Sequence, residues 1–364
     1  MSTLISILAP ARKANNARLQ RVITSLIAEG FTIELFAAGS AQDLPSTVTF
    51  HQLPEISRSG RFKEAFRLPR LAQGEVIFTP DPEVAISLWL QSLFIRKTWV
   101  VDVREDYRLL LKDRKWAKGI KYFAAVILAE LAVFASRRAD LTVVVDNWVR
   151  PESARNRLVI PNAPDARFLP ALSGADSAPR ALYVGDVRGS RGLWTMLRAM
   201  EMCDPWKLDV VGAIADEDRA ALDLWQKNSP AASRVRFHGA LTPQESWHFA
   251  SGAWVGLSLL DPTPAFKRAW PTKIGEYLAC GIPVISTDLP RPSEVILQSR
   301  AGALVESASR EITASQCAGI LNSWGENPDE YREVRNRAEK EVEIWRSGAS
   351  YDLIAEGISH LLAR

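Results

Sequence analysis

The sequence predicts two doubly wound α/β domains, each a parallel sheet covered by helices, that face each other across a cleft. At 364 residues the chain is too long for one ordinary hydrophobic core. Short apolar runs typical of buried strands alternate with segments of helical periodicity, and this series occurs twice. Ligands bind at the carboxyl ends of strands in open parallel sheets, so two such domains in tandem predict a ligand cleft.

The first domain is predicted to cover residues 1–168. Its first helix begins after Asn15 or Asn16, either of which is a good N-cap, and ends near Gly30. Helices fall between most of the predicted strands, which requires right-handed crossovers and a mainly parallel sheet. The strands are expected at 4–8, 31–36, 48–51, 76–79, 99–103, 141–145 and 158–160.

A stretch without periodicity at 166–180, rich in Pro, Gly, Ser and Asp, is typical of a linker. The second domain is predicted at 169–345, and residues 346–364 are predicted to form a helix that packs back on the first domain. The charged last sixty residues are expected to be helical. Strands of the second series are expected at 181–184, 208–211, 235–237, 254–259 and 283–286.

The composition, 47% hydrophobic and 24% charged, is that of a soluble globular protein. Three separated cysteines and four histidines without ligand spacing predict neither a disulfide framework nor a metal site. The amino terminus reads as a first strand rather than a signal peptide. The longest apolar run, 122–135, is interrupted by Glu130 and is too short to span a bilayer. We therefore expect a reduced, cytoplasmic protein.

Charge is distributed unevenly along the chain. Residues 1–170 carry 24 Lys and Arg against 17 Asp and Glu, whereas the remainder carries 21 against 25. A basic half indicates an anionic partner, although an ordinary solvated surface is an equally good interpretation. Nucleic acid is not predicted as a partner.

The most informative stretch is 270–287, which predicts a short helix leading into a buried strand. Pro271 suits the first helical turn and Gly281 the position after the last. Lys273 and Glu276 are three residues apart, so they share one helix face. A helix start beside a lysine suits a phosphate, and the carboxylate one turn later suits a ribose diol. The alternative interpretation is a surface ion pair between the two.

Residues 183–193 follow the first strand of the second domain and contain three glycines and two arginines. Glycines let the backbone approach a ligand closely. The planar guanidinium groups of Arg188 and Arg191 suit diphosphate oxygens. This loop therefore predicts a second part of the same nucleotide-diphosphate site.

The pattern Pro-x-Lys-x-x-Glu-Tyr-x-x-x-Gly-x-Pro-Val at 271–284 resembles the nucleotide-sugar site of retaining family 4 glycosyltransferases, which have the GT-B fold. The loop at 185–192 resembles the family's glycine-rich loop, except that Asp186 stands where the family has arginine. The resemblance implies that Arg188 and Arg191 act on the diphosphate as catalytic residues. It also implies a set of nucleotide-binding residues: Gly185, Gly239, Thr272, Lys273 and Glu276.

Two further catalytic candidates depart from the family pattern. The segment 100–107 resembles one in which a family histidine contacts the donor sugar, but this chain has Arg104 there. Neighbouring Glu105 and Asp106 are expected either to hold Arg104, to bind acceptor hydroxyls, or to be an ordinary charged loop end. Arg268 stands where many family members carry a glutamate near the reacting sugar, and a solvated loop position is its alternative.

The resemblance implies transfer of a sugar from a nucleotide-diphosphate sugar to an acceptor hydroxyl, with retention of anomeric configuration and without metal or cofactor. The implied acceptor is a glycan or glycolipid of cell-surface polysaccharide or glycolipid synthesis. A nucleotide-sugar epimerase of the same fold, a catalytically silent relative and a two-lobed sugar-binding protein are the alternatives. A dehydrogenase is disfavoured because Gly-x-Gly-x-x-Gly is absent after the first strand.

A segment at 109–122 combines basic and aromatic residues on a predicted helix. Such a helix can lie on an anionic bilayer, which predicts peripheral contact at the inner face of the membrane. A solvated basic helix is the alternative interpretation. The residues concerned include Lys112, Arg114, Lys115, Trp116, Lys118 and Lys121.

Overall fold

The computed structural model describes residues 3–92, 94, 96–112, 119–268, 270, 272–347 and 351–363, with the backbone alone for 58, 59, 110 and 112. The chain divides into two compact units. The first comprises Met1–Asn162 and Ala349–Arg364, and the second Ala163–Gly348. Both boundaries differ by a few residues from the predicted 168 and 345.

The first unit contains a parallel sheet of seven strands among its described residues, in the order β3-β2-β1-β4-β5-β6-β7. The strands are β1 (Leu4–Lys13), β2 (Thr32–Ala38), β3 (Val48–Gln52), β4 (Val76–Thr79), β5 (Thr98–Val103), β6 (Leu141–Val144) and β7 (Arg157–Val159). The helices are α1 (Ala17–Ala28), α2 (Arg58–Leu71), α3 (Pro82–Gln91), α4 (Tyr107–Lys112) and α5 (Ile120–Arg138).

Strand β1 is longer than the sequence predicts. It continues past Leu8 to Lys13, with an irregularity in its pairing to β2 between Ala9 and Lys13. The basic residues at its end look like a loop in sequence because they do not alternate with apolar ones. Asn16 then caps α1, and its Oδ1 accepts a hydrogen bond of 3.2 Å from the amide of Leu19.

Both faces of this sheet are buried, which explains its continuous apolar strands. On one face, Ile5 and Ile7 of β1 belong to a buried cluster with residues of α1. On the other face, Leu8 belongs to a cluster with residues of α2, α3 and α5. The carboxyl ends of the strands are thereby held in a rigid, covered sheet.

The second unit contains a parallel sheet of six strands among its described residues, in the order β10-β9-β8-β11-β12-β13. The strands are β8 (Arg180–Val184), β9 (Lys207–Val211), β10 (Val235–Gly239), β11 (Val255–Ser258), β12 (Val284–Thr287) and β13 (Gly302–Val305). The helices are α6 (Leu193–Met202), α7 (Asp216–Asn228), α8 (Pro243–His248), α9 (Thr272–Ala279), α10 (Pro290–Ser299), α11 (Arg310–Glu326) and α12 (Pro328–Arg346).

Strand β13 is not predicted by the sequence pattern. It is short, begins at Gly302 and pairs with β12 alone among the described strands. Glycine and alanine have low strand propensity, so the segment lacks the β-branched signal of the other strands. Its place is set by the backbone pairing with β12 and by the burial of Val305.

The linker packs against the second unit. The guanidinium of Arg335 donates to the carbonyl of Ser173 at 2.7 Å, and that of Arg346 donates to the carbonyl of Pro170 at 2.5 Å. Residues 166–168 also contact α8 of the second unit, which explains why the boundary lies at Asn162 rather than at residue 168.

The last helix, α13 (Asp352–Leu362), belongs to the first unit. It contacts α1 and β6, and its Ile354, Ala355 and Ile358 are fully buried. No helix among the described residues is long and apolar enough to cross a membrane.

Candidate functional site

Three adjacent strands of the second unit end in glycines with positive φ. These are Gly185 after β8 (137°), Gly212 after β9 (147°) and Gly239 at the end of β10 (72°). The amide of Gly212 donates to the carbonyl of Gly239 at 2.8 Å. A Cβ on Gly212 would lie 1.8 Å from the carbonyl oxygen of Gly185. The three turns therefore pack backbone against backbone, which requires glycine at Gly212.

Lys273 reaches this point from the first turn of α9. Its Nζ lies 3.7 Å from the centroid of the Tyr183 ring on β8. A Cβ on Gly185 would lie 2.8 Å from its Cε, so the lysine side chain occupies the space that the absent Cβ leaves. The Nζ is buried, and no residue in the described part of the chain forms a hydrogen bond with it.

The environment of Lys273 disfavours its charge. Burial and the positive charge of Arg191 lower the pKa of the Lys273 ammonium well below its ordinary value, against the opposing effects of Glu276 and Asp186. Glu276 is also buried, so the two residues are not a surface ion pair and that alternative is wrong. A buried ammonium without a hydrogen-bond partner is costly, and an anion bound beside it would remove that cost.

Arg188 and Arg191 lie on the loop after Gly185, and Asp186 lies between them. The Oδ2 of Asp186 is 2.6 Å from Nη2 of Arg188 and 3.8 Å from Nε of Arg191. The three side chains are between 33% and 39% exposed, so this pairing is weak and a diphosphate can compete with it. Together with Lys273, the loop presents more positive than negative charge to an anion.

The arginine loop is held where the order of the sheet reverses, between β8 and β11. A Cβ on Gly192, whose φ is 89°, would lie 2.2 Å from the carbonyl oxygen of Leu259 at the end of β11. The amide of Asp261 donates to the carbonyl of Ser190 at 3.0 Å. Such a reversal is where open α/β sheets bind ligands.

Two residues of this site were not predicted from the sequence. Tyr183 forms the surface under Lys273, and Asp218 on α7 accepts hydrogen bonds from the amide of Gly189 at 2.9 Å and from the indole of Trp194 at 3.0 Å. An aromatic residue inside an apolar strand and an acidic residue on a charged helix give no signal of their own. Their role depends on contacts between distant segments.

Helix α9 is fixed against the sheet by Tyr277. The amide of Val184 donates to the Tyr277 hydroxyl at 3.1 Å. A Cβ on Gly256 of β11 would lie 2.3 Å from the Tyr277 ring, so the ring lies directly on that strand. This docking sets the position of Thr272 at the start of α9 and of Glu276 within it. Pro271 lies outside the described residues.

The structure therefore brings Gly185, Arg188, Arg191 and Lys273 together at one strand end, with Gly239 at the end of a neighbouring strand. Arg268 is exposed on the turn between β11 and α9.

Arg104 belongs to the first unit, where it is held by Asp102 rather than by Glu105 or Asp106. Its Nε donates to Oδ2 of Asp102 at 2.8 Å, and its Nη1 donates to Oδ1 of Asn16 at 2.7 Å. Asp106 instead caps α4, since its Oδ1 accepts from the amides of Arg108 and Leu109. Of the three alternatives for Glu105 and Asp106, the one in which they hold Arg104 is therefore wrong.

Asp102 is fully buried on β5 and is shared by two guanidinium groups. Arg18 donates to both of its oxygens, at distances from 2.8 to 3.2 Å. Burial raises the pKa of the Asp102 carboxyl, but the charges of Arg18 and Arg104 outweigh it and lower the pKa to about 2. The carboxylate is thus ionised at neutral pH.

No group of three or more His, Cys, Asp or Glu side chains in the described part of the chain is arranged to hold a metal ion. Arg114, Lys115, Trp116 and Lys118 of the predicted membrane segment lie outside the described residues.

Solved structures match both sheets over nearly the whole chain. Sucrose-phosphate synthase from Thermosynechococcus elongatus matches with a TM-score of 0.72 and 16% identity, over 99% of this chain and 98% of that one. The chain has the GT-B fold. The GT-B protein HepE from Anabaena, in complex with UDP-glucose, matches with a TM-score of 0.70 and 15% identity, over 99% of both chains.

A third GT-B structure, WaaG, described as a glycosyltransferase involved in lipopolysaccharide biosynthesis, matches with a TM-score of 0.67 and 14% identity, over 97% of this chain and 98% of that one. Residues 178–323 match the family model described as Glycosyl transferases group 1. That stretch lies in the second unit of the GT-B fold and contains both the arginine loop and α9. No curated protein matches the sequence.

Proposed function

We propose that the protein is a retaining glycosyltransferase of family 4, which moves a sugar from a nucleotide-diphosphate sugar to an acceptor hydroxyl. The observation that carries the proposal is the buried Lys273 ammonium, without a hydrogen-bond partner among the described residues, at the turn that leads to Arg188 and Arg191. The match of residues 178–323 to Glycosyl transferases group 1 supports it. So do the GT-B structures with UDP and UDP-glucose bound.

The proposed chemistry needs stabilisation of the departing nucleoside diphosphate. Lys273, Arg188 and Arg191 supply positive charge where the leaving oxygen gains negative charge, and preorganised charge of this kind is a large term in catalysis. The bond from the anomeric carbon to the phosphate oxygen breaks as the acceptor oxygen attacks from the same face. The leaving phosphate takes the hydroxyl proton, and the anomeric configuration is retained.

Because three cationic side chains neutralise the diphosphate, we propose that the reaction needs neither a metal ion nor a cofactor. We further propose that the acceptor is a glycan or glycolipid of cell-surface polysaccharide or glycolipid synthesis. An epimerase of this fold would instead convert the nucleotide sugar with no acceptor present, and a silent relative would bind the nucleotide without turnover. Product analysis with and without acceptor separates the three.

The first prediction concerns nucleotide binding. One of UDP, GDP, ADP, TDP and CDP is expected to raise the melting temperature of the protein, because a ligand that binds only the native state stabilises it. At a hundred times its dissociation constant the ligand contributes about 2.7 kcal/mol. The rise is expected to persist in EDTA, which tests the metal-independent site. If no nucleoside diphosphate shifts the melting temperature, the diphosphate site is wrong.

We also propose peripheral contact with an anionic membrane, now supported by α5. Ile120, Phe123 and Ile127 are spaced along one face of this helix and are 88%, 69% and 61% exposed. Lys121 and Arg108, both exposed, add positive charge nearby. A helix with exposed apolar side chains and basic neighbours suits the interface of an anionic bilayer.

The second prediction follows from this face. The protein is expected to float with vesicles that contain anionic lipid and to remain behind with neutral vesicles. The double variant Phe123→Ser and Ile127→Ser is expected to lose flotation. Leu224→Ser with Leu297→Ser, two exposed leucines of the second unit, is the matched control. Equal flotation of both double variants would contradict the assignment of this face.

A further inference from the structure

The first unit contains a buried excess of positive charge. Arg18 and Arg104 are both buried, and the Asp102 carboxylate between them is their shared counter-ion. One carboxylate therefore faces two guanidinium groups. Burying an ion without full compensation is costly, so the surplus needs an explanation.

Arg104, rather than Arg18, is the guanidinium group whose positive charge is less fully compensated. Arg18 donates to Asp102 and also, through Nη1, to the carbonyl of Ile160 at 3.2 Å and to Oδ1 of Asn162 at 2.9 Å. Arg104 uses Nε and Nη1 on Asp102 and Asn16. The Arg104 side chain is only 9% exposed. Its Nη2 is buried and has no hydrogen-bond partner among the described residues.

A second buried donor lies near Arg12 and Asp102, the two residues that also interact with Arg104. The Tyr107 hydroxyl is also buried and has no hydrogen-bond partner in the described part of the chain. Burial raises the pKa of this hydroxyl, so it stays protonated and can donate. Two buried donors without acceptors on neighbouring residues are rare in folded proteins, where such groups are nearly always satisfied.

These groups lie at the carboxyl ends of β1, β4 and β5. The order of the first sheet reverses between β1 and β4, and this is where ligands of open α/β sheets bind. Arg12 at the end of β1 is one-third exposed, and its Nε donates to Asp81 at 3.2 Å. Asp81 also accepts from the amide of Ala11 at 2.7 Å, which joins the ends of β1 and β4.

The other carboxylates near Arg104 and Tyr107 do not compensate the buried positive charge of Arg104. Asp81 is committed to Arg12, and Glu105 is exposed and acts on Arg12. Glu83 interacts with Arg12 and Arg61, and burial raises the pKa of its carboxyl. Arg12 and Arg18 themselves oppose the charge on Arg104. An anionic group would satisfy this site, whereas a neutral hydroxyl would leave its charge uncompensated.

We propose that the carboxyl ends of β1, β4 and β5 bind an anionic group of a carbohydrate substrate, a carboxylate or a phosphate monoester, through Arg104 and Tyr107. Nη2 of Arg104 and the Tyr107 hydroxyl donate hydrogen bonds to its oxygens, and Arg12 adds positive charge at the exposed side. That the ligand is a carbohydrate rests on the proposed function. That it is an anion rests on the buried donors.

The test is isothermal titration calorimetry of the full chain with glucose 6-phosphate, glucuronate and glucose at constant ionic strength. At least one of the two anionic sugars is expected to bind at least tenfold more tightly than glucose, and the tighter of the two identifies phosphate or carboxylate. Arg104→Met is expected to weaken that binding by about 10- to 100-fold, the worth of a hydrogen bond to a charged group. Arg104→Lys, which keeps the charge, should recover part of it.

Arg155→Met, an exposed arginine of the same unit, is the control and should bind the anionic sugar as the parent does. Removing Arg104 leaves Asp102 paired with Arg18, so this variant should fold, and urea unfolding followed by circular dichroism verifies that it does. Anionic sugars that bind no better than glucose, or equally well to Arg104→Met, overturn the inference. Anionic-sugar binding in a chain that binds no nucleoside diphosphate would overturn the proposed function instead.

Discussion

Replacing Lys273 with methionine is expected to raise the melting temperature of the free protein and to abolish its binding of nucleoside diphosphate. Methionine has nearly the same length and keeps the contact with the Tyr183 ring, but it does not bury a charge without a hydrogen-bond partner. The free protein is therefore stabilised, by about 2 °C or more for each kcal/mol gained. Loss of a charged contact to the leaving group should lower turnover by about 100- to 1,000-fold.

The stabilisation by Lys273→Met is expected to depend on pH. The pKa of Lys273 is lower in the folded protein than in the unfolded chain, so folding of the protonated form is penalised at low pH. That penalty fades as the pH rises from the folded pKa towards the ordinary lysine value of about 10.4. The stability gained by Lys273→Met should therefore be largest below the folded pKa and disappear in strong alkali.

Melting curves and titrations with the nucleoside diphosphate that binds the parent protein measure both effects. Lys340→Met, an exposed lysine of α12, is the control and should change neither quantity. A variant that is stabilised yet binds the nucleotide normally would show that Lys273 is buried for packing. A variant that loses both stability and binding would show that its ammonium has a partner inside the free protein.

The sequence predicts the fold well because most strands are apolar runs and most connections contain a helix. It also predicts Lys273, Arg188 and Arg191 as one group, because each stands at a fixed distance from a glycine that ends a strand or helix. These signals are local. The structure places the groups together through Gly185 and Tyr183, whose contacts with Lys273 no local pattern reveals.

The charge cluster of the first unit, formed by Arg18, Asp102 and Arg104, has no such local signal for its pairing. Asp102 is preceded and followed by valine in an apolar strand, and such a buried carboxylate requires a counter-ion. The sequence does not identify the counter-ion, since Arg18 lies 84 residues away along the chain. The sequence instead favours the adjacent Glu105 and Asp106 as partners of Arg104, but Glu105 is exposed and Asp106 caps α4. Pairing between distant segments is set by sheet order, which a single sequence does not fix.

Replacing Asp102 with asparagine is expected to be among the most destabilising single changes in the first unit. The amide removes the negative charge and turns donors towards two buried guanidinium groups, which are left without a counter-ion. Breaking a buried ion pair in this way costs about 3–5 kcal/mol. Urea unfolding followed by circular dichroism should show a transition at lower denaturant, with an unchanged slope if the native compactness is kept.

Acid unfolding tests the same carboxylate without a mutation. The folded pKa of Asp102 is about 2, below the ordinary value of about 3.9, so the carboxylate stabilises the fold at every pH above the ordinary value. This contribution is lost as the pH falls from about 4 towards 2. The parent protein should therefore lose stability through this window, and Asp102→Asn should lose correspondingly less because it has no such proton to gain.

An exposed ion pair on α12 is the comparison for the buried Asp102. Oδ1 of Asp329 lies 2.7 Å from Nη1 of Arg332 on α12, and the Asp329 side chain is 92% exposed. Asp329→Asn should change the free energy of unfolding by about 0.5 kcal/mol or less, because exposed pairs are solvated and screened. If Asp102→Asn were equally mild, the two guanidinium groups would have to be compensated by another anion or by water, and the argument that Arg104 carries uncompensated charge would fail with it.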